Sequence, residues 1–196
     1  MRVLVACEFS GIVRDAFAER GHDAWSCDLL PSIRPGNHIQ GDVMNVLHLG
    51  WDLMVAHPPC THLAVCGAPS FHEKRKDGSQ DKAVNFFMRL ADCHYIPRIA
   101  TENPVSIISS LWRKPNQILQ PYFFGDPETK KICLWLKNLP PLYWLEFHAA
   151  EPICKVFRSK KNKTGFSNYS LAHERPKSER SVFFPGVAKA MAEQWG

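Results

Sequence analysis

Residues 51–67 have the sequence WDLMVAHPPCTHLAVCG, in which a short apolar run ends abruptly in two prolines and a cysteine. The run LMVA predicts a buried β-strand. The strand must end at Pro58 and Pro59, because proline donates no ladder hydrogen bond and its ring fixes φ. Cys60 is therefore expected at the carboxyl end of a strand, where open α/β sheets bind their ligands. A thiol in that position is a candidate nucleophile, although a lone cysteine is also a common packing residue.

The composition is that of an ordinary globular protein, with 196 residues, 45% hydrophobic and 22% charged. This length suits one domain with a substantial core. No apolar run approaches the roughly 20 residues that span a bilayer, and the N-terminal MRVLVACEF lacks the length and the cleavage site of a signal peptide. We therefore expect a cytoplasmic protein.

The seven cysteines are predicted to be free thiols, because their number is odd and no CxxC pair occurs. Histidine and cysteine are frequent between residues 57 and 72, but their spacing matches no usual zinc signature. We therefore expect no metal site.

The net charge of +5 is concentrated in one segment. Residues 155–180 contain eight Lys or Arg and two Glu, an excess larger than that of the whole chain. Such a patch suits a polyanion such as DNA, and a solvated basic loop has the same composition. The candidate phosphate-binding cations of this segment are Arg158, Lys160, Lys161 and Lys163. The pattern there predicts no particular regular structure.

The N-terminal residues have the pattern of a βαβ unit, with the runs RVLVAC and HDAWSC flanking a helical IVRDAFAERG. The turn Phe9-Ser10-Gly11 lets a ligand approach the backbone, and Asp28, about 20 residues further on, is placed to accept hydrogen bonds from ribose hydroxyls. Dinucleotide-binding turns have three glycines where this turn has one. The pattern therefore favours a nucleoside ligand without phosphates, and S-adenosylmethionine is such a ligand.

Two further segments are predicted to consist mostly of loop. Residues 31–50 are rich in Pro and Gly and contain Asp42, which is equally suited to bind an adenine amino group or to cap the following VMNVLHL. Residues 70–82, SFHEKRKDGSQDK, predict a mobile surface loop. Its cations, Lys74, Arg75 and Lys76, are candidates for binding nucleic acid.

A second predicted strand, RIAT, ends in the polar residues ENP. Glu102 would then lie at a carboxyl strand end, as Cys60 does, and the two ends can be neighbours in a parallel sheet. A nucleophile beside a carboxyl group forms a catalytic pair, although Glu102 is also suited to cap a helix that starts near Val105. A further predicted strand, KKICLWL, begins at Lys130, and GVAKAMAEQW predicts an amphipathic C-terminal helix.

Several of these stretches, in this order, resemble the DNA (cytosine-5) methyltransferases, in particular the short phage-type members. The first turn looks like the family's FxGxG motif without its second glycine. Asp28 ends a strand similar to the one that carries the ribose-binding acid, and Gly41-Asp42-Val43 resembles the adenine-binding motif. The resemblance implies an S-adenosylmethionine site formed by Phe9, Ser10, Gly11, Asp28, Asp42, Val43 and Pro58.

The catalytic motifs are similar as well. Cys60 stands in PPC, followed by Thr where the family has Gln, and Glu102 stands in ENP where the family has ENV. Lys130 replaces the first Arg of the family's QxRxR, and FPGVAKA near the C-terminus resembles the helix that returns to the cofactor. The resemblance implies that Cys60 attacks C6 of cytosine and that Glu102 holds N3 and the exocyclic amine. Lys130, or its neighbour Lys131, would neutralise charge at O2.

The fold implied by the resemblance is the Rossmann-like class I fold of S-adenosylmethionine-dependent methyltransferases, a mostly parallel sheet with helices on both faces. Residues 1–196 would form one domain, with a small basic insertion at about 142–180 in place of a full target-recognition domain. The implied activity is methylation of cytosine C5 in DNA. Two alternatives remain open, namely a related enzyme that modifies a cytosine derivative and a catalytically idle nucleic-acid-binding protein. An amino-methyltransferase is disfavoured, because those enzymes have an aromatic residue at the position of Cys60.

Overall fold

A computed structural model describes residues 1–144, 150–151, 154–158, 166–170 and 182–196, with the backbone alone for 154–158 and 166–170. Seven strands form the central sheet: β1 (Arg2–Ala6), β2 (Asp23–Asp28), β3 (His38–Gln40), β4 (Leu53–Ala56), β5 (Arg98–Asn103), β6 (Gln117–Leu119) and β7 (Ile132–Lys137). Their order is β3-β2-β1-β4-β5-β7-β6. The first five strands are parallel, and β7 runs antiparallel to both of its neighbours. This confirms the predicted Rossmann-like, mostly parallel sheet.

The central strands β1 and β4 consist almost entirely of apolar residues because both faces of the sheet are covered. In β1, Val3 and Val5 belong to the core on one face, and Leu4 and Ala6 belong to the core on the other. This alternation follows from the two-residue period of a strand. All four residues of β4 are fully buried in the same way, as the run LMVA predicted.

Within the described residues, five α-helices surround the sheet: α1 (Ile12–Ala18), α2 (Phe71–Lys76), α3 (Ser79–Ala91), α4 (Ile108–Leu111) and α5 (Pro185–Trp195). Phe17 of α1 and Met191 of α5 pack on one face, and Leu90 of α3 packs on the other. A third cluster joins α3 to β7, where the rings of Phe87 and Trp135 meet edge to face with centroids 5.0 Å apart. These layers fix the strand ends that carry the predicted site residues.

The prediction of a mobile loop at residues 70–82 was wrong, because these residues form α2 and the first turn of α3. Glu73 in the first turn of α2 and three cations in its last turn complement the helix dipole. The polar composition therefore belongs to a surface helix.

Two other stretches contain more regular structure than their sequences indicate. Residues 31–50 include the edge strand β3 and a 3₁₀ turn, Val43–Asn45. Within the basic segment, β8 (Cys154–Arg158) pairs antiparallel with β9 (Phe166–Ser170). None of the helices in the described ranges combines the length and the apolar character required to cross a membrane.

Candidate functional site

The predicted site residues gather at one edge of the sheet, where the parallel strands end. Asp28 is the last residue of β2, Asp42 follows β3, Cys60 follows β4, and Glu102 is the penultimate residue of β5. Lys130 precedes β7, and because β7 is antiparallel to β5 its beginning lies at the same edge. The topology therefore brings together residues that are far apart in sequence.

The N-terminus of α1 is occupied by a protein carboxylate, that of Glu8. Its oxygens accept hydrogen bonds from the backbone N–H of Val13 (2.7 Å) and Arg14 (3.2 Å) and from the Ser10 hydroxyl (3.0 Å). Glu8 is 3% exposed. In dinucleotide-binding folds this position receives the ligand's pyrophosphate. The arrangement therefore favours a ligand without phosphates. Glu8 was not among the residues predicted from the sequence, where its signal is an acid placed directly between the first strand and the glycine turn.

Gly11 is required for packing within this turn. Its φ is +74°, and a Cβ there would lie 2.5 Å from a guanidinium nitrogen of Arg14. Arg14 is 1% exposed, pairs with Asp15 at 2.7 Å and donates to the carbonyl oxygen of Pro35 at 2.8 Å. The buried guanidinium thus holds the loop that follows β2 against α1, and Gly11 leaves room for it.

A cavity of about 270 Å³ lies beside this turn, close to the lower end of the size range of small-ligand pockets. Asp28 and Asp42 are in its wall. Each uses Oδ1 to accept a backbone N–H at 2.9 Å, from Leu30 and Met44 respectively, so Asp42 is both a cap, as one prediction had it, and a cavity residue. The lining residues are Cys7, Cys27, Asp28, Leu29, Gly41, Asp42, Val43, Pro59 and Phe86.

Four residues predicted to bind the cofactor have other positions. In the part of the chain that the structure describes, the wall of this cavity does not include Phe9, Ser10, Gly11 or Pro58. Ser10 is bonded to the carboxylate of Glu8. Pro58 is buried, and its carbonyl oxygen accepts a hydrogen bond from Asn103. Pro59, the next residue, lines the cavity instead.

Cys60 lies in the exposed turn after β4, next to that cavity wall. Partial burial of the sulfur raises the pKa of the Cys60 thiol, and the nearby carboxylate of Glu102 raises it further. The ammonium group of Lys130 acts in the opposite direction. The carboxyl group and the cation predicted from sequence are therefore close enough to the Cys60 thiol to influence its charge state.

Glu102 has a hydrogen-bond partner, His57, which the sequence had suggested only as a possible metal ligand. His57 Nδ1 lies 3.4 Å from Glu102 Oε2, and the two side chains are 12% and 13% exposed. The sequence feature that could have indicated His57 is its position directly before the two prolines. Lys130 Nζ lies 5.4 Å from the centre of the Phe184 ring, in a cation–π contact.

The residues after Cys60 are tied to the helices above them. Lys74 of α2 donates to the carbonyl oxygen of Thr61 at 2.7 Å, and Gln80 of α3 donates to that of His62 at 3.1 Å. Lys74, predicted to bind nucleic acid, thus holds the turn that carries the thiol. Arg75 and Lys76 are exposed. Of the other predicted cations, Arg158 is described by its backbone in β8, and Lys160, Lys161 and Lys163 lie outside the described residues.

The described residues contain no group of three or more His, Cys, Asp or Glu side chains arranged to hold a metal ion.

Comparisons with known proteins bear on the fold of this chain. No protein-family model matches the sequence, and no curated protein matches it. Among solved structures, the chain is similar to the methyltransferase EhMeth of Entamoeba histolytica, with a TM-score of 0.51 and 13% identity over 79% of this chain and 58% of that one. The chain thus spans less than two thirds of that protein's length. The 16S rRNA methylase RmtB is a more distant neighbour, with a TM-score of 0.31 and 18% identity over 69% of this chain and 55% of that one. The strand order and the similarity to EhMeth show a Rossmann-like methyltransferase fold.

Proposed function

We propose that the protein is an S-adenosylmethionine-dependent DNA methyltransferase that acts on C5 of cytosine through a covalent adduct with Cys60. One observation carries the proposal. Pro59 lines the cavity whose wall contains Asp28 and Asp42, and the next residue in the chain is Cys60. A nucleoside in the cavity and a base held at Cys60 would be neighbours.

The side chains that line the cavity fit S-adenosylmethionine. The carboxylate of Asp28 would accept hydrogen bonds from ribose hydroxyls, and that of Asp42 would accept one from the adenine amino group. Leu29, Val43 and Phe86 supply apolar walls for a planar base. With Glu8 on the N-terminus of α1, the site suits a ligand without phosphates. When bound, S-adenosylmethionine supplies the electrophilic methyl group that C5 takes.

The side chains at the strand ends suit the chemistry of cytosine C5, which is a poor nucleophile. The Cys60 thiolate forms a C–S bond to C6, and the ring electrons move toward N3 and C5, which makes C5 reactive. The Glu102 carboxylate would take the proton of the Cys60 thiol and donate it to N3 as the C–S bond forms, and Lys130 would stabilise negative charge at O2. Once C5 carries the methyl group, a base would remove the C5 proton, N3 would return its proton to Glu102, the C–S bond would break and the thiolate would leave. The target base must leave the helix stack to reach this edge.

The pairing of His57 argues against a thiol hydrolase. Such enzymes use a histidine hydrogen-bonded to the cysteine, which keeps the thiolate as the resting form. Here His57 is bonded to Glu102, no hydrogen bond joins it to Cys60 among the described residues, and the pKa of Cys60 is raised. The thiol therefore rests protonated, as suits a nucleophile that is engaged once its substrate is bound.

DNA is the proposed partner. The basic segment 155–180, with Arg75 and Lys76, would contact phosphates, which give affinity without sequence information.

A labelling experiment tests the proposal. The protein is incubated with S-adenosylmethionine tritiated in the methyl group and with DNAs of varied sequence, and the DNA is then digested to nucleosides. Label in 5-methylcytosine supports the proposal. Label in N4-methylcytosine or N6-methyladenine contradicts it, and label in another C5-modified cytosine indicates a related enzyme. No label in any DNA, with S-adenosylmethionine bound, favours an idle protein of this fold.

A further inference from the structure

We propose that His57 is a positioning residue for Glu102: its Nδ1–H donates to Oε2 and so holds the carboxyl group in one plane facing the cytosine. This inference rests on the proposed function for the identity of the base. The contact itself belongs to this chain and is testable without that function.

The strand register places the two side chains opposite each other. Ala56 of β4 pairs with Thr101 of β5, so the next residues along these parallel strands are His57 and Glu102. Nδ1 of His57 lies 3.4 Å from Oε2 of Glu102. This is a long hydrogen bond.

The imidazole ring has little freedom to turn away. Its centre lies 4.6 Å from that of the Phe183 ring, at an interplanar angle of 51°. The backbone on its C-terminal side is stiffened by Pro58 and Pro59. The ring is therefore held in place on one side by an aromatic face and on the other by its own backbone.

The two ring nitrogens have different surroundings, and this determines which one carries the proton. Nε2 is buried and has no hydrogen-bond partner among the described residues. A buried N–H without an acceptor is costly, whereas an N–H on Nδ1 has the carboxylate of Glu102 as its acceptor. The neutral ring therefore keeps its proton on Nδ1, and His57 is the donor.

The consequence for catalysis is orientation. Glu102 has to meet both N3 and the exocyclic amine of the cytosine, which requires one fixed plane for its carboxyl group. A carboxyl free to rotate would present that plane in a fraction of encounters only. Loss of His57 should therefore lower kcat more than it raises KM for DNA.

The test compares His57→Phe, which keeps an aromatic ring against Phe183, with His57→Asn, whose side-chain amide places an N–H near the position of Nδ1. We expect His57→Phe to reduce both kcat and the rate of adduct formation with 5-fluorocytosine DNA by about ten- to a hundredfold. S-Adenosylmethionine affinity and the thermal unfolding midpoint should stay close to wild type, and His57→Asn should recover much of the rate. His48→Phe, at an exposed histidine outside the site, is the matched control.

A second measurement separates this inference from the proposed function. In ¹⁵N-labelled protein, the Nδ1–H signal of His57 should shift when Glu102 is replaced by alanine. If the wild type transfers no label to cytosine but the Nδ1–H signal does shift in Glu102→Ala, the His57–Glu102 pair is retained and the proposed function is rejected. An unchanged signal would overturn the inference whatever the activity. It would also be overturned if His57→Phe formed the adduct at the wild-type rate, or if a lower rate came with a lower unfolding midpoint and no recovery in His57→Asn.

Discussion

The side-chain amide of Asn103 donates a hydrogen bond of 2.9 Å to the carbonyl oxygen of Pro58. Asn103 is 1% exposed and ends β5, and Pro58 begins the turn that carries Cys60. The bond therefore joins the two strand ends that hold the proposed nucleophile and the proposed carboxyl group. The bond fixes the spacing of these two strand ends, although it involves neither Cys60 nor Glu102 itself.

Removing this bond should loosen the turn. We expect Asn103→Ala to lower the free energy of unfolding by about 1–3 kcal/mol, because it leaves a buried carbonyl oxygen unsatisfied, and to slow methyl transfer. Urea unfolding and the rate of adduct formation measure the two effects. Asn85→Ala, at an exposed asparagine of α3, serves as the control. Unchanged stability in Asn103→Ala would show that the bond does not hold the turn.

The thiol should be essential for the reaction and dispensable for cofactor binding. Cys60 follows the cavity wall and is not part of it, so Cys60→Ser should abolish methyl transfer and leave the Kd for S-adenosylmethionine nearly unchanged. A covalent adduct with 5-fluorocytosine DNA should form with the wild-type protein and not with Cys60→Ser. Radiolabel transfer, calorimetry and denaturing gels provide the three readouts. Methyl transfer by the serine variant at a comparable rate would reject the covalent mechanism.

The pH dependence of Cys60 follows from its raised pKa. A thiol whose pKa is raised stays protonated to higher pH, so alkylation of Cys60 by iodoacetamide should increase with pH to a midpoint above that of an ordinary cysteine. Glu102→Gln removes a charge that disfavours the thiolate and should lower this midpoint, whereas Lys130→Ala should raise it. Peptide mass spectrometry resolves Cys60 from exposed Cys66. Equal midpoints in all three proteins would mean that these charges do not reach the thiol.

Affinity for the cofactor should depend on Asp28. We expect Asp28→Ala to weaken S-adenosylmethionine binding at least tenfold, because each hydrogen bond to a charged group contributes about 1.5–3 kcal/mol before water replaces it. Asp28→Asn keeps an oxygen that can accept from the N–H of Leu30 and should lose less. Calorimetry gives both values. Wild-type affinity in Asp28→Ala would place the cofactor site elsewhere.

The sheet could be predicted because its signals are local. The run LMVA before two prolines, and the alternation of β1 between two cores, each require only a few neighbouring residues. The α2 helix was missed because its polar composition is shared by loops and by surface helices. The contact of Lys74 with Thr61 joins residues 13 apart in sequence, and composition alone does not indicate such a contact.

The sequence predicted which candidate site residues lie at the strand ends, but it did not predict the contacts that support them. Cys60 and Glu102 could be paired from the rule that parallel strands end at one edge. The pairing of His57 with Glu102 depends on strand register, which a single sequence does not determine. Likewise, Glu8 is used to cap α1 because of where the chain turns after β1, and the glycine pattern alone indicated only that phosphates fit poorly.

The basic segment should bind DNA with little sequence specificity. Residues 155–180 carry an excess of positive charge and overlap the antiparallel strand pair β8–β9, with few residues to build a recognition domain. Phosphate contacts give affinity and base-edge contacts give specificity. We therefore expect salt-dependent DNA binding and a methylation context of about two to four bases.

Replacing Lys160, Lys161 and Lys163 with alanine should weaken binding about equally for all sequences, and it should flatten the salt slope by roughly 0.9 for each phosphate that is no longer neutralised. Fluorescence anisotropy at several salt concentrations measures the slope, and bisulfite sequencing of a methylated plasmid measures the context. Lys114→Ala, at an exposed cation elsewhere on the chain, is the control. If the triple variant instead changed which sequences are methylated, or if the wild type required a long strict consensus, this segment would be reading bases as well as phosphates.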